Sequence, residues 1–192
     1  MSKSASAIGV CLALACALSF TGCAKKAVKS SAKAAPEFSL KDADGKTVHL
    51  SDYKGKVVLL DFWATWCGPC KLEIPWFMEF EKQFKDQGFA VVGVSMDEDG
   101  WTAIKPYVQD MKMNYRVLLG NDTVSAAYGG LDSLPTTLLI DREGGIASVH
   151  VGVSMGKEEF KNAIVKLLDT SSVRAPVASG GALALLARPS AR

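Results

Sequence analysis

The sequence predicts an α/β fold, in which a mixed central sheet carries helices on both of its faces. Apolar, strand-like runs alternate with helical patterns over most of the chain, which is the order of a layered α/β domain. A hairpin pattern follows late, so that parallel and antiparallel strands are both expected. One run, at residues 57–63, is almost continuously apolar, as in strands that are buried on both faces.

The folded part begins with a predicted hairpin. Residues 38–40 and 48–50 have the pattern of short strands, and the pair Asp44-Gly45 between them is a turn signal. The central strand at 57–63 comes next. These elements place two short strands ahead of the alternating part of the fold.

A helix is predicted from residue 69 to residue 85. Pro75 inside this segment is expected to kink the helix. Gly88 ends it, and the next apolar run, at 89–95, is a second central strand. The apolar side chains that recur at helical spacing, and that predict packing against the sheet, are Leu72, Trp76, Phe77, Phe80 and Phe84.

The C-terminal half supplies the remaining elements. A helix at 101–111 is expected to be interrupted or kinked near Pro106, because proline removes a helical hydrogen bond. An amphipathic helix at 157–168 closes the domain. Between them the sequence predicts a strand at 117–119, a short helix at 122–128, and a hairpin of strands 138–140 and 146–151.

The most informative motif is Trp66-Cys67-Gly68-Pro69-Cys70, directly after the central strand. Side chains three residues apart on a first helical turn lie roughly 5–6 Å apart, near enough for a disulfide to open and close. A zinc site would need a second Cys or His pair, whereas His49 and His150 stand alone. A purely structural disulfide would constrain only a two-residue loop. The spacing therefore favours redox catalysis, with no cofactor or metal.

The sequence around this motif resembles the thioredoxin superfamily, and within it the TlpA/ResA-like membrane-anchored thiol-disulfide oxidoreductases. The resemblance covers about residues 36–169 and implies a thioredoxin-like fold with an N-terminal β extension. Asp61 is a departure, because many relatives of this subgroup carry a neutral residue there and cytoplasmic thioredoxins carry aspartate. The residues that carry the resemblance are Pro36 to Leu40, Asp44 to Lys46, Leu50 to Cys70, Glu73 to Pro75, and Leu134 to Thr136.

Four segments are predicted along the chain: a lipoprotein signal peptide (1–22), a lipid-anchored flexible linker (23–35), the domain (36–169) and a disordered tail (170–192). The apolar stretch at 8–20 is shorter than the roughly 20 residues that span a bilayer, and Lys3 precedes it. Thr21-Gly22-Cys23 resembles a lipoprotein cleavage box, with Phe20 a departure from the usual leucine. Lipidation is therefore expected at Cys23, which leaves Cys67 and Cys70 as the only free thiols of the mature protein.

Chemical roles are predicted for four residues. A thiolate at a helix N-terminus is favoured by the helix dipole, so Cys67 is expected to be the nucleophile and Cys70 to resolve the mixed disulfide. Asp61, a carboxyl within an apolar strand, is the leading proton acceptor, with a raised pKa. A carboxylate satisfied by a backbone or lysine partner is the alternative. Glu73, one turn after Cys70, is the second candidate, although it has equal reason to face solvent.

The resemblance also implies a substrate-binding surface around the dithiol. Pro135, after Leu134, corresponds to the cis-proline of the superfamily, which presents backbone to the substrate chain. Trp66 and Pro69 are expected to shape the exposed rim, and Gly68 to permit close approach. Trp63 is expected in the core. The pair Gly68-Pro69 resembles that of reducing thioredoxins, so a reductant is expected.

The predicted function is an extracytoplasmic thiol-disulfide reductase, anchored by lipid on the periplasmic side of a bacterial membrane. Its expected partners are disulfide-containing exported proteins, of which apocytochrome c is a family example, and a membrane thiol electron donor. A net charge of +2 gives no indication of nucleic-acid binding, and a monomer is expected.

Two alternative functions fit the sequence less well. A peroxiredoxin-like peroxidase would place proline and threonine where Leu60 and Ala64 stand. A Sco-type copper chaperone would need a different cysteine spacing and a distant histidine such as His150.

Overall fold

The computed structural model describes residues 32–172, with side chains to residue 169. It contains seven strands, four α-helices and two short 3-10 helices (Leu50–Tyr53 and Lys85–Gln87) in this part of the chain. The predicted signal peptide, the lipidation site Cys23 and almost all of the predicted tail lie outside the described residues. The strands are β1 (Ser39–Asp42), β2 (Thr47–His49), β3 (Val57–Trp63), β4 (Phe89–Ser95), β5 (Arg116–Leu119), β6 (Thr136–Ile140) and β7 (Ile146–Val151); the helices are α1 (Cys70–Phe84), α2 (Trp101–Met111), α3 (Asp122–Ala127) and α4 (Lys157–Ser172).

All seven strands form one mixed sheet in the order β2-β1-β5-β4-β3-β6-β7. Strands β3, β4 and β5 are parallel to their neighbours in this central part, whereas β1, β2, β6 and β7 pair antiparallel. The predicted mixed sheet is confirmed. The N-terminal hairpin β1–β2 extends the sheet beyond β5, which is the β extension that the resemblance implies.

Each face of the sheet buries its own apolar cluster. Odd-numbered positions of β3, such as Leu59 and Trp63, face helices α1, α2 and α4. Even-numbered positions, such as Leu60 and Phe62, face the N-terminal hairpin and α3. Every residue of β3 and β4 is buried, because both faces are covered. The expected helices on both faces are therefore present.

Prolines do not interrupt the helices here. Helix α2 continues through Pro106, so of the two predicted outcomes, an interruption or a kink, the interruption does not occur. The cost of the missing hydrogen bond is offset by packing on both sides of the proline, where Ile104 is fully buried and Tyr107 and Val108 contact the same core. Helix α1 likewise continues past Pro75.

One residue of the predicted apolar face of α1 does not face the core. Leu72 is 60% exposed, whereas Phe77 and Phe80 are fully buried. Leu72 lies in the first turn of α1, beside the dithiol, where no helix or strand covers it.

The Phe80 side chain anchors α1 on the sheet and gives a direct test of this packing. Phe80→Ala is expected to lower the free energy of unfolding by about 3–5 kcal/mol, because it removes a fully buried ring and leaves a cavity. Urea denaturation measures the change. Leu72→Ala on the same helix is the matched control and is expected to change stability by less than about 0.5 kcal/mol. Equal losses for the two variants would contradict this orientation of α1.

Backbone pairing starts slightly before the predicted domain boundary at residue 36. Ala34 forms a β-bridge with Gly145, and Ile146 donates a hydrogen bond to the Lys33 carbonyl. The last residues of the predicted linker thus lie along the β6–β7 turn. In the described part of the chain, no helix combines the length and the apolar character needed to cross a membrane.

Candidate active site

The two cysteines meet at the C-terminal end of the central strand. Cys67 lies in the turn that follows β3, and Cys70 is the first residue of α1. Their Cα atoms are 5.4 Å apart and their sulfurs form a disulfide. The Cys70 backbone N–H donates to Cys67 Sγ at 3.2 Å. A first-turn helical N–H that donates to this sulfur stabilises negative charge on it, which is the environment of a reactive thiolate.

The surface of the site is formed by the residues around the cysteines rather than by the sulfurs. Trp66 is 68% exposed, and Gly68 and Pro69 are exposed beside it. Cys67 is 3% exposed and Cys70 1%. The difference in solvent exposure between the two cysteines is therefore small in the oxidised form, and the hydrogen bond to Cys67 Sγ distinguishes them better.

The turn before Cys67 is held by an acid that the sequence analysis missed. The Asp97 carboxylate accepts hydrogen bonds from the Thr65 N–H at 3.0 Å and from the Thr65 and Ser95 hydroxyls at 2.6 Å each. Asp97 follows β4, the parallel neighbour of β3. Polar residues after adjacent parallel strands meet at one edge of the sheet, and this was the available signal.

Two buried carboxyls lie behind the dithiol. Asp61 is on β3, opposite Thr137 of β6, and its Oδ1 accepts a hydrogen bond from the Thr137 hydroxyl at 3.2 Å. Its Oδ2 has no partner, and neither oxygen of Glu73 has one. Each residue is 1% exposed, so Glu73 faces inward from α1. Asp61 thus has a threonine partner rather than a backbone or lysine partner.

Burial disfavours the charged form of both acids. Desolvation, followed by the nearby Glu73 carboxyl, raises the pKa of Asp61 to about 8, against a lowering by the Thr137 hydrogen bond. Desolvation raises the pKa of Glu73 to about 7. Two acids that titrate near neutral pH and interact with each other can hold and release a proton beside the cysteines.

Pro135 lies at the same end of the sheet as the dithiol. The Leu134–Pro135 peptide bond is cis, as the resemblance implies. Thr136, the next residue, pairs with Phe62 of β3, so Pro135 is level with the residues that lead into Cys67. The Pro135 carbonyl accepts a hydrogen bond from the Gly152 N–H at 2.8 Å.

His150 lies on β7 with its ring edge-on to Phe160, at 5.2 Å between ring centroids, and its Nε2 is 2.9 Å from Ser148 Oγ. These contacts fit a packed strand histidine. Among residues 32–172, no group of three or more His, Cys, Asp or Glu side chains is arranged to hold a metal ion.

Comparisons with known proteins agree with this geometry. The model of the AhpC/TSA family matches residues 32–149. The thiol-disulfide oxidoreductase ResA of Bacillus subtilis is 39% identical over 148 residues, which are 75% of this chain and 82% of that protein.

Solved structures of similar proteins share the fold. A protein from Chlorobium tepidum described as a putative thiol:disulfide interchange protein DsbE is 34% identical, with a TM-score of 0.67, over 72% of this chain and 98% of that one. The exposed lipoprotein thioredoxin of Streptococcus pneumoniae is 31% identical, with a TM-score of 0.59, over 69% of this chain and 100% of that one.

Proposed function

The chain belongs to the AhpC/TSA family, with a thioredoxin-like fold, and is a thiol-disulfide oxidoreductase of the ResA type; from this premise we propose that it reduces disulfides of exported proteins. The single observation that carries the proposal is the Cys67–Cys70 pair, with the Cys70 N–H on Cys67 Sγ and two buried acids behind it. The Gly68-Pro69 pair between the cysteines supports the reducing direction.

In the proposed reaction the Cys67 thiolate attacks one sulfur of the substrate disulfide. A Cys67–substrate disulfide forms and the other substrate sulfur leaves as a thiolate. The Cys70 sulfur then loses its proton and attacks Cys67 Sγ, which releases the second substrate thiolate. The substrate gains two electrons and two protons, and the protein is left with the Cys67–Cys70 disulfide that the structure contains.

The buried acids fit the second step best. Cys70 is 1% exposed, so its proton needs an acceptor inside the protein. We assign this role to Asp61, whose pKa is raised. Glu73, whose pKa is also raised, interacts with Asp61 and thereby influences whether Asp61 is ionised. Leu134, Pro135 and the exposed rim of Trp66, Gly68 and Pro69 are assigned to substrate binding.

The proposed location is the outer side of a bacterial membrane, with the lipid on Cys23. The 8–20 apolar stretch and the Thr21-Gly22-Cys23 box support it, and so does the similarity to the pneumococcal protein, whose description includes the word lipoprotein. There a membrane thiol donor would regenerate the dithiol of the monomeric protein. Apocytochrome c is the substrate class that the family resemblance suggests.

A peroxiredoxin-like peroxidase function is disfavoured by residues of the site. Leu60 and Ala64 stand where the peroxidases carry proline and threonine, and Cys67 has the resolving thiol Cys70 beside it.

The reduction potential of the Cys67–Cys70 couple tests the reducing direction. Equilibration of the purified protein with dithiothreitol redox buffers is expected to give a value near that of thioredoxin, about −270 mV. Reduction of insulin disulfides by the dithiol form is the companion measurement. A potential near about −120 mV would mean that the protein donates disulfides instead.

A further inference from the structure

Unpartnered polar atoms are concentrated behind the dithiol. Among the residues that the structure describes, seven buried side-chain polar atoms have no hydrogen-bond partner in the protein, and Arg142 Nε is one of them. The other six belong to five side chains that share one face of the sheet: Asp61, Trp63, Glu73, Tyr107 and Tyr115. Buried polar atoms are normally paired, so a cluster of this kind indicates a shared partner.

The backbone brings these groups together across a glycine. Gly93 of β4 pairs with Asp61 of β3. A Cβ atom at Gly93 would lie 3.0 Å from Trp63 Nε1 and 3.1 Å from Tyr115 Cε2. Glycine is thus needed for Tyr115 to reach from the start of β5 across β4 toward Trp63. Tyr107 completes the group from α2, with its ring centroid 5.4 Å from that of Trp63.

We propose that these five side chains enclose a buried chain of water molecules that carries the proton released by Cys70 away from the substrate-binding face, with Tyr115 passing the proton on at the end of the chain nearest the outer cavity. The groups supply the donors and acceptors that internal water requires: the Trp63 N–H, two tyrosine hydroxyls and the carboxyls of Asp61 and Glu73. This inference rests on the proposed function, because it concerns the second step of that reaction.

Tyr115 joins this group of side chains to an open cavity on the same face of the sheet, near the end where the parallel strands begin. Tyr115 lines this cavity of about 660 Å³ together with Phe89, Lys105 and Val108. Phe89 and Arg116 begin the parallel strands β4 and β5, whereas Cys67 follows the opposite, C-terminal end of β3. The cavity therefore stays open to solvent when a substrate covers the rim around Trp66.

Resolution of the mixed disulfide releases one proton from Cys70 Sγ. As Cys70 Sγ attacks the Cys67–substrate disulfide, its proton passes to the Asp61 carboxylate. The Asp61 acid then gives a proton to the neighbouring water, and Tyr115 accepts one at its oxygen while releasing its own toward the outer cavity. One proton moves from Cys70 to solvent for each resolution, and no electrons move along this route.

Several titratable groups face Asp61 and belong to the same equilibrium. Glu73 on α1 and Tyr115, just before β5, interact electrostatically with Asp61, and Tyr107 on α2 interacts with Tyr115. On the β6 side, Thr137 donates to Asp61, and His150 of β7 pairs with Thr137. The buried Cys67–Cys70 pair completes the group.

Tyr115→Phe tests the relay with Ellman's reagent as the substrate. Attack by Cys67 releases one thionitrobenzoate and resolution by Cys70 releases the second, so one absorbance trace contains both steps. We expect an unchanged first phase and a second phase about fivefold slower at pH 7, the effect of losing one hydrogen bond of about 1 kcal/mol. The apparent pKa of the second phase should rise, because the proposed water chain that stabilises ionised Asp61 loses one of its hydrogen-bonding groups.

Tyr128→Phe is the matched control. Its hydroxyl donates to the Pro36 carbonyl at 2.6 Å on the other face of the sheet, and its loss should leave both phases and the pH profile unchanged. A Tyr115→Phe protein whose second phase and pH profile match the wild type would overturn the relay. Failure of the wild type to release the second equivalent would instead overturn the proposed function.

A second variant and a second measurement cover the case in which Tyr115→Phe does not fold. Tyr107→Phe is expected to slow the second phase in the same way. In the wild type, a nuclear Overhauser effect between long-lived water and the Trp63 indole N–H is expected. Absence of that signal, with normal resolution in Tyr107→Phe, would overturn the proposal.

Discussion

A Cys70→Ser variant is expected to stop at a covalent complex between Cys67 and its substrate, with multiple-turnover activity lower than that of the wild type by more than about a thousandfold. Serine cannot attack a disulfide in place of the Cys70 sulfur. The mixed disulfide on Cys67 therefore accumulates. The Cys70 backbone N–H, which donates to Cys67 Sγ, is unchanged by the substitution, so the first attack should proceed near its normal rate.

Nonreducing electrophoresis and mass spectrometry measure the trapped complex, with a disulfide-containing protein such as insulin as the substrate. Cys67→Ser is the matched control, because it removes the attacking sulfur and should form no covalent complex. The reverse result, a complex in Cys67→Ser and none in Cys70→Ser, would exchange the roles of the two cysteines.

Much of the fold could be predicted because its signals are local. Strands β3 and β4 and helix α2 have the predicted bounds, since continuous apolar runs and helical spacing are properties of short segments. Strand β6 begins at Thr136, two residues before the predicted start, because the threonines pair with β3 and β7 although they are polar. Helix α4 extends to Ser172 beyond the predicted residue 168.

The site residues that belong to a short sequence motif could be predicted, whereas those that reach the site through tertiary packing were harder to predict. The Cys67–Cys70 spacing predicted a disulfide, and the apolar strand around Asp61 predicted a buried acid with a raised pKa. The inward direction of Glu73 remained open, because the sequence does not define which face of the first helical turn is covered. Asp97 and Tyr115 come from other strands and join the site only through the sheet order.

The stability of the oxidised protein is expected to fall as pH rises, because of Asp61. Its pKa is raised from 3.8 to about 8 by burial and by the charge of Glu73. Between these pH values the Asp61 carboxyl is ionised in the unfolded chain but protonated in the folded protein. The unfolded state therefore binds fewer protons than the folded state, and a rise in pH favours unfolding. Stability therefore decreases from about pH 4 to about pH 8 and is constant above that, by on the order of 5 kcal/mol in all.

Asp61→Asn removes this titration and should separate stability from catalysis. Urea denaturation of the oxidised protein is expected to show similar stability at pH 4 and a variant more stable by on the order of 3–5 kcal/mol at pH 8, with the remaining slope due to Glu73. The same variant should resolve the mixed disulfide roughly a hundredfold more slowly, with a nearly normal first attack, because the proton acceptor is gone.

Asp132→Asn, at an exposed loop position, is the control and should change neither property. A wild-type stability curve that is flat from pH 4 to 8 would show that Asp61 is ionised in the folded protein. A variant that is more stable but resolves normally would assign the proton of Cys70 to Glu73. If the variant is more stable and also resolves the mixed disulfide more slowly, the Asp61 carboxyl contributes to catalysis and at the same time destabilises the folded protein.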